Sequence, residues 1–394
     1  MTDKSLSYQK GKARTELLRA TAKNMGTALS LSTSQRVTNR PGINLVAPKN
    51  RDTGIGFYAG IMNRISVASG RSVQNYHFDQ NIEVERSIKE LFETTIAVVS
   101  PGQIPFAQML YPRAFMNRNY RTAIVFWDVD KIPKRFGLGF NLLDEIWLPS
   151  QSSADAFARQ FKIPTQTFRT PIEKLENGIE GQFRNFLGIN DEFLVAYQFD
   201  MGSSAMRKNP WAAVRAYKLA FPNENEGAIM ILKCSRATEN SNDWLLLKSL
   251  CEGRRDIILI NEFWEADMIA SMYLDIDCYF STHRSEGFGL TVAHALAADK
   301  YVIATNFGAT TEFMPPEYSG LIPFDLIKIG PNPVYPEDAT WADPEVEAAA
   351  ELLYRAFSDP EKTKWKGQMA GEWTRREFSL DKSVESFTGH LEAK

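Results

Sequence analysis

The residues of this sequence best suited to chemistry lie in a glycine-containing segment. Glu286 is followed by Gly287, Phe288, Gly289 and Leu290, and an apolar run precedes it. Glycines let the backbone approach a ligand closely, and the N–H groups at the start of a helix attract an anion such as a diphosphate. Glu286, directly ahead of those donors, could accept hydrogen bonds from sugar hydroxyls. A Gly-x-Gly turn alone would more often be structural, so the surrounding string decides the interpretation.

That string carries a resemblance to a known family. From Asp277 to Met314 the order DCYFSTHRSEGFGLTVAHALAADKYVIATNFGATTEFM resembles family 4 glycosyltransferases of the GT-B fold. The resemblance is strong in the C-terminal half and thin in the N-terminal half, and it covers most of the chain from Ile43 onward. It extends to Arg207–Pro210, which looks like the family's basic phosphate clamp, and to Leu232-Lys233, Thr340–Pro344, Gly54–Gly56 and Phe126–Asp128.

The resemblance implies a role for each matching residue of the donor motif. Glu286 would contact the donor sugar, and Gly287 together with the backbone amides of residues 288–290 would hold the sugar and its diphosphate. Lys208 would neutralise the diphosphate as it leaves, and charge stabilisation of this kind can be the largest catalytic contribution. Glu286 and Lys208 are therefore the first candidates for catalytic residues.

Four further residues are implied in donor binding, each with an alternative. Arg207 would be a second clamp or a solvent-facing side chain, and Lys233 would assist the clamp or be an exposed lysine at a strand end. Gly54 and Gly56 fall where GT-B enzymes bring the N-terminal backbone near the donor phosphate. An ordinary turn between a strand and a helix is the alternative for that pair.

Two positions depart from the family's pattern. The family's second glutamate, which binds the nucleotide ribose, falls at His294, where a neutral imidazole offers one acceptor nitrogen instead of two carboxylate oxygens. Gly202 replaces an arginine usually found ahead of the clamp lysine. These departures motivate an alternative function, a catalytically weakened GT-B module that serves as a binding or scaffold subunit in a glycan-assembly complex.

A competing signal lies in the N-terminal half, where an apolar run ends in Asp128-Val129-Asp130. Paired carboxylates are hard oxygen ligands, so this pair could hold a divalent cation on the donor phosphates, as in GT-A transferases. Asp128 could instead orient an acceptor hydroxyl and count as a catalytic residue, or the pair could cap a helix. The four scattered histidines form no HxxxH or HExxH pair, and we expect no metal site.

Strands and helices alternate from Ile43 onward, which predicts an α/β protein with parallel sheets covered on both faces. The predicted strands are Ile43–Ala47, Thr95–Ser100, Thr122–Trp127, Glu145–Leu148, Phe193–Phe199, Ala228–Cys234, Ile257–Ile260, Cys278–Ser281 and Tyr301–Ala304. The predicted helices are Phe57–Ser69, Ser150–Gln160, Pro210–Phe221, Asp243–Cys251, Asp267–Tyr273, Leu290–Ala298 and Asp343–Phe357, followed by helical residues 360–394. Two doubly wound domains would place a ligand at the carboxyl ends of the strands, in a central cleft.

We expect four regions along the chain. Residues 43–180 would form an N-terminal Rossmann-like acceptor domain and 181–370 a C-terminal Rossmann-like donor domain, joined by an irregular stretch from Phe168 to Gly188. Residues 371–394 would form a helix that packs back on the N-terminal domain. The leader, residues 1–42, carries eight Lys or Arg residues against two acidic ones. It would be solvated, or would dock as a helix on an anionic membrane surface.

The composition indicates the compartment and the partners. A net charge of −3 gives no support for nucleic-acid binding. No apolar run approaches the roughly 20 residues of a membrane span, and a signal peptide is not apparent. Three distant cysteines without a CxxC pair favour a reducing compartment. We expect a cytoplasmic protein, with peripheral contact to the inner membrane face as an open alternative.

The sequence therefore predicts a metal-independent, retaining glycosyltransferase without a cofactor. Its substrates would be a nucleotide-sugar donor and a glycan or glycolipid acceptor, in the synthesis of a bacterial surface polysaccharide or lipopolysaccharide. Retention is expected because the donor motif offers no pair of carboxylates as nucleophile and acid. In the family's mechanism the leaving phosphate helps to deprotonate the incoming hydroxyl on the same face of the sugar.

Overall fold

The computed structural model describes residues 40–49, 53–78, 91–116, 120–224 and 226–393. Residues 1–39, which make up most of the predicted basic leader, lie outside the described residues. The helix and the membrane contact predicted for the leader therefore stay predictions. By its internal contacts the chain divides into two units. The N-terminal unit takes in the described residues of Met1–Trp127, Ile132–Arg169 and Ser383–Lys394, and the C-terminal unit those of Asp128–Lys131 and Thr170–Lys382.

A parallel sheet forms the core of the N-terminal unit. The described strands lie in the order β2-β1-β3-β4-β5-β6, with all neighbours parallel. Strands β3, β4 and β5 are buried at successive positions, as expected for parallel strands covered on both faces. The bounds are β1 (Arg40–Pro48), β2 (Val73–Phe78), β3 (Phe92–Val99), β4 (Tyr120–Val125), β5 (Glu145–Leu148) and β6 (Thr165–Thr167).

The helices of this unit begin where the sequence supplies a capping side chain. The hydroxyl of Thr53 accepts from the amide of Gly56, and that of Ser150 accepts from Ser153 at the start of the predicted helix. The described helices before residue 170 are α1 (Gly54–Ala68), α2 (Ile104–Leu110), α3 (Pro112–Met116), α4 (Gly137–Phe140) and α5 (Gln151–Gln160).

The C-terminal unit has a second parallel sheet, whose described strands lie in the order β12-β11-β10-β7-β8-β9. From β7 the chain winds outward through β8 and β9, then returns to place β10, β11 and β12 on the other side. The strand order therefore reverses between β7 and β10, and ligands of such sheets bind at that point, outside the carboxyl ends of the strands. The bounds are β7 (Phe193–Asp200), β8 (Ala228–Ser235), β9 (Ile257–Asn261), β10 (Cys278–Ser281), β11 (Tyr301–Thr305) and β12 (Gly320–Ile322).

An antiparallel hairpin, β13 (Phe324–Lys328) and β14 (Thr340–Pro344), adds to this unit outside the parallel sheet. The remaining described helices are α6 (Gln182–Leu187), α7 (Ala205–Lys208), α8 (Pro210–Ala220), α9 (Asn242–Cys251), α10 (Ala266–Asp275), α11 (Leu290–Ala297), α12 (Val346–Ser358), α13 (Pro360–Glu377) and α14 (Leu380–Glu392). None of the described helices is both long and apolar enough to cross a membrane.

The predicted α/β class with two parallel-sheet units is confirmed, and each predicted strand is present with ends shifted by a few residues. Two details of the prediction differ from the structure. The helix predicted from Asp343 is present but begins at Val346, because Thr340–Pro344 pairs as a strand with β13. The stretch from Phe168 to Gly188 is not wholly irregular, since it contains α6, whose Phe183 is fully buried.

The last helix supplies a test of the packing in the N-terminal unit. Phe387 is fully buried, and its ring centroid lies 5.9 Å from that of Trp147 and 6.3 Å from that of Phe168. We expect Phe387→Ala to lower the free energy of unfolding by about 3–5 kcal/mol, through lost burial and the cavity left behind. Leu138→Ala, at a side chain that is 74% exposed, should change it by less than about 0.5 kcal/mol. Equal effects in denaturant titrations would contradict the described packing.

Candidate active site

Two loops meet where the strand order of the C-terminal unit reverses. One follows β7 and contains α7; the other follows β10 and contains the glycine motif. The amide of Arg284 donates to the carbonyl of Arg207 at 2.7 Å, and the hydroxyl of Thr282 donates to the carbonyl of Asn209 at 2.7 Å. Asn209 has a φ of +48°, a left-handed conformation that asparagine adopts more readily than most residues. The backbone thus places the predicted phosphate clamp beside the donor motif.

Three charged side chains from these loops form a buried cluster. The ammonium of Lys208 pairs with Oε1 of Glu286, and the guanidinium of Arg207 lies 2.9 Å from Oε2. Arg207 also donates to the carbonyl of Ser285 at 2.8 Å. The side chains of Arg207, Glu286 and Lys208 are 4%, 9% and 12% exposed. Arg207 is therefore not solvent-facing, and the structure brings the two predicted clamp residues onto the predicted sugar-binding carboxylate.

The pKa values of the cluster reflect this pairing. Burial alone would raise the pKa of Glu286, but the charges of Lys208 and Arg207 outweigh it and lower that pKa to about 2. Burial lowers the pKa of Lys208, and the charge of Glu286 opposes the shift. Burial would also lower the pKa of Arg207, but Asp128 and Glu286 reverse this and raise it. Glu286 is thus a carboxylate at neutral pH, able to accept hydrogen bonds but not to act as an acid.

The predicted pair Asp128 and Asp130 is engaged by protein donors. One carboxylate oxygen of Asp128 accepts from the amide of Gly287 at 2.8 Å, and the other from the hydroxyl of Tyr335 at 2.6 Å. Asp130 accepts from the amide and the hydroxyl of Thr340 at 2.8 and 3.0 Å. Among the described residues no group of three or more His, Cys, Asp or Glu side chains could hold a metal ion. The role of Asp128 toward an acceptor stays a prediction.

The second glycine of the motif is required by close packing. Gly289 has a φ of +92°, and a Cβ atom there would lie 2.4 Å from Cγ2 of Thr310. The side chain of Phe288 is buried and packs against Phe313 with the rings tilted and 5.1 Å between their centroids, so it belongs to the core. Helix α11 begins at Leu290, and the N–H groups of a first helical turn have no acceptor within the helix. The role of this turn in diphosphate binding stays a prediction.

Two other predicted donor residues have partners within the protein. Lys233 is buried, and its ammonium donates to the carbonyls of Glu262 at 2.6 Å and Cys234 at 3.2 Å and lies 4.8 Å from the centroid of the Trp264 ring. The alternative that Lys233 is an exposed lysine at a strand end is therefore wrong. His294 lies on α11 with its ring edge-on to Tyr273 at 5.8 Å, and burial lowers its pKa to about 4. Its imidazole is neutral at pH 7.

Gly54 and Gly56 belong to the N-terminal unit. They occupy the first turn of α1, and the amide of Gly56 donates to the hydroxyl of Thr53 at 3.1 Å. This geometry is that of a capped helix start that follows β1. The donor role of these glycines stays a prediction.

Sequence reasoning missed Tyr335, which contacts Asp128 from the loop between β13 and β14. Three prolines surround it in the order PNPVYP, a pattern that is typical of a loop. The pattern could have indicated a turn between two short strands. It could not have indicated which side chain the tyrosine would reach.

Comparisons with known proteins bear on both the fold and the motif. Residues 224–323, which include the glycine motif, match the family model described as glycosyl transferases group 1. No curated protein sequence matches the chain.

Among solved structures, the chain is similar to sucrose-phosphate synthase from Thermosynechococcus elongatus, with 13% identity and a TM-score of 0.65 over 90% of this chain and 99% of that one. It is also similar to Anabaena HepE in complex with UDP and glucose, with 14% identity and a TM-score of 0.64 over 90% and 100%. A structure of S. aureus TarM with UDP aligns over 75% of this chain, at 12% identity and a TM-score of 0.54. The chain spans about half of TarM, 54% of its length.

These comparisons confirm the GT-B fold class, with its two Rossmann-like units, and not the GT-A alternative. The family match over the donor motif supports the predicted class of enzyme, a glycosyltransferase. Membership of family 4 and retention of configuration stay predictions, since identities of 12–14% show the fold alone.

The low pKa of Glu286 has a consequence for stability. Because the folded-state pKa of about 2 lies below the ordinary 4.5, the carboxylate stabilises the fold above pH 4.5, and this contribution is lost as the pH falls toward 2. Glu286→Gln removes the anion that pairs with Lys208 and leaves Arg207 with Asp128 alone, so we expect it to cost about 3 kcal/mol at pH 7. The difference in free energy of unfolding between this variant and the wild type should narrow as the pH falls from 5 to 3.

The measurement is the free energy of unfolding in urea at several pH values. Glu317→Gln, at an exposed glutamate, is the matched control and should follow the wild type throughout. A Glu286→Gln difference that is independent of pH would contradict the described ion pairs.

Proposed function

We propose that the protein transfers a sugar from a nucleoside-diphosphate sugar to a hydroxyl of a glycan or glycolipid, with retention at the anomeric carbon. One observation carries the proposal: Arg207, Lys208 and Glu286 converge on a buried cluster at the carboxyl ends of β7 and β10. This is the position at which doubly wound sheets bind nucleotides. Cations suit a diphosphate, and an ionised carboxylate suits the hydroxyls of a sugar.

In the proposed reaction the bond between the anomeric carbon and the diphosphate oxygen breaks. The acceptor oxygen bonds to the same face of that carbon, and its proton passes to the departing diphosphate. Lys208 and Arg207 stabilise the charge that develops on the leaving group, which electrostatic preorganisation makes effective in a site that excludes water. Glu286 holds the sugar hydroxyls and limits the motion of the clamp lysine by pairing with it.

Further parts of the proposal concern substrates and setting. UDP-sugars are the first donors to test, because the HepE and TarM structures contain UDP. Lys208 and Arg207 are the cations offered to the diphosphate, so we propose a reaction without metal or cofactor. We further propose a cytoplasmic protein that builds a bacterial surface polysaccharide or lipopolysaccharide, with peripheral membrane contact through the basic leader.

A second candidate function is motivated by His294. A neutral imidazole held edge-on to Tyr273 offers less to a ribose diol than a carboxylate would. The protein would then bind a donor and support a glycan-assembly complex as a binding or scaffold subunit. Binding without turnover is the property that separates it from the first proposal.

The test begins with thermal shifts and calorimetry of the purified protein against UDP, GDP, ADP and their common sugars, with EDTA present. We expect one nucleotide to stabilise the protein, by about 2.7 kcal/mol at one hundred times its Kd. Lys208→Ala should weaken this binding about tenfold, because it removes a charge-assisted contact to the diphosphate. With the donor that binds, Lys208→Ala and Glu286→Ala should lower turnover about a hundredfold or more.

Lys364→Ala, at an exposed lysine of α13, is the control for the loss of a positive charge. Wild-type turnover in both site variants would overturn the proposed catalytic role. Binding that appears only with Mn²⁺ would overturn metal independence. Binding without turnover across the tested acceptors would favour the scaffold function.

A further inference from the structure

The segment Asp128–Lys131 is held against the C-terminal unit by the β13–β14 hairpin. Both carboxylate oxygens of Asp130 accept hydrogen bonds from Thr340, the first residue of β14. The ammonium of Lys131 pairs with Asp338 in the hairpin loop. The two hydrogen bonds of Thr340 thus hold Asp130 on the hairpin, two residues after Asp128, and the ion pair of Lys131 is an exposed one.

Asp128 in turn contacts the donor motif on both sides of Glu286. Its carbonyl accepts from the hydroxyl of Ser285, and Oδ1 accepts from the amide of Gly287 at 2.8 Å. The same oxygen lies 3.4 Å from the guanidinium of Arg207, which is itself 2.9 Å from Glu286. Asp128 therefore reaches Glu286 by two routes, through the backbone and through Arg207.

Tyr335 fixes the orientation of the Asp128 carboxylate. The tyrosine is 6% exposed, and its hydroxyl donates to Oδ2 of Asp128 at 2.6 Å. Burial raises the pKa of Tyr335, and the charge of Asp128 raises it further, so the hydroxyl keeps its proton and donates. With Oδ2 held by the tyrosine and Oδ1 by the amide of Gly287, the carboxylate has one orientation in the site.

We propose that Asp128 and Tyr335 form a positioning pair that sets the Glu286 carboxylate for the donor sugar. The inference rests on the proposed function and adds to it a role for the β13–β14 hairpin, whose loop supplies Tyr335. Asp128 acts here through Gly287 and Arg207, which differs from the predicted role of orienting an acceptor hydroxyl.

Loss of either residue of the pair should lower kcat with the sugar donor more than it changes the affinity for the nucleotide. Tyr335→Phe removes one hydrogen bond without a change of charge, so UDP should bind with a Kd within twofold of the wild type. Its kcat with the sugar donor should fall about tenfold, because the carboxylate that meets the sugar loses its fixed orientation. Asp128→Asn removes an anion near the two cations, so UDP should bind about threefold more tightly while kcat falls.

The experiment compares the wild type, Tyr335→Phe, Asp128→Asn and the double variant in full-length protein. UDP affinity is measured by calorimetry, and kcat and KM are measured with the donor identified for the wild type. Tyr354→Phe, at a half-exposed tyrosine on α12, is the control for loss of a phenolic hydroxyl. Because Tyr335 acts through Asp128, the double variant should lose little more kcat than the single variant with the lower kcat.

The outcomes separate this inference from the proposed function. A wild type that binds UDP and turns over, with Tyr335→Phe and Asp128→Asn equally active, overturns the positioning pair and leaves the transferase intact. Additive losses of kcat in the double variant also overturn it. A loss of UDP affinity in step with kcat indicates a general structural role and overturns it too. A wild type that neither binds nor transfers overturns the proposed function itself.

Discussion

The site depends on one interaction, the buried contact of the Glu286 carboxylate with the cations of Lys208 and Arg207. Each cation comes from the loop after β7, and the carboxylate from the loop after β10. Removing charges from water costs several kcal/mol per ion, and a well-packed apolar cluster of the same volume would often be as stable or more so. The cluster is therefore better explained by what it can bind than by what it adds to stability.

The rest of the C-terminal unit provides the geometry that this contact requires. Parallel strands bring the two loops to the same edge of the sheet, and the left-handed turn at Asn209 directs α7 toward the motif. Gly289 permits the close approach of Thr310 beneath the turn. Tyr335 of the hairpin loop holds the carboxylate of Asp128, which lies beside the second cation, Arg207. Two positive and two negative side chains therefore lie together. A bound diphosphate would compete with the two carboxylates for the two cations.

Much of this could be predicted from local sequence. Apolar runs of four to eight residues gave the inner strands, because strands buried on both faces consist almost wholly of apolar residues. The edge strands β2, β6 and β12 and the hairpin were missed. Their residues, such as Val73–Phe78 and Thr165–Thr167, are polar or short and form no apolar run. The start of the helix predicted from Asp343 was three residues too early, because Thr340–Pro344 pairs with the other strand of the hairpin.

The candidate site was predictable where the residues are adjacent in the chain and not where the fold brings them together. Glu286 and Lys208 follow from motifs with a chemical meaning. Tyr335 lies 207 positions from Asp128, and its contact is a product of the tertiary fold. The burial of Lys233 against Trp264 is another product of the fold, because the sequence alone shows only a lysine near the end of a strand.

The central claim is that Lys208 and Glu286 act as one buried, coupled pair. A double-mutant cycle with Lys208→Ala, Glu286→Ala and the double variant measures this coupling in the free energy of unfolding at pH 7. The structure predicts that the double variant is destabilised by less than the sum of the single variants, with a coupling energy of about 2 kcal/mol or more. Glu286→Ala leaves the buried Lys208 ammonium without its anion, and Lys208→Ala leaves Glu286 with only one of its two cations. Additive effects, with coupling within about 0.5 kcal/mol of zero, would contradict the account.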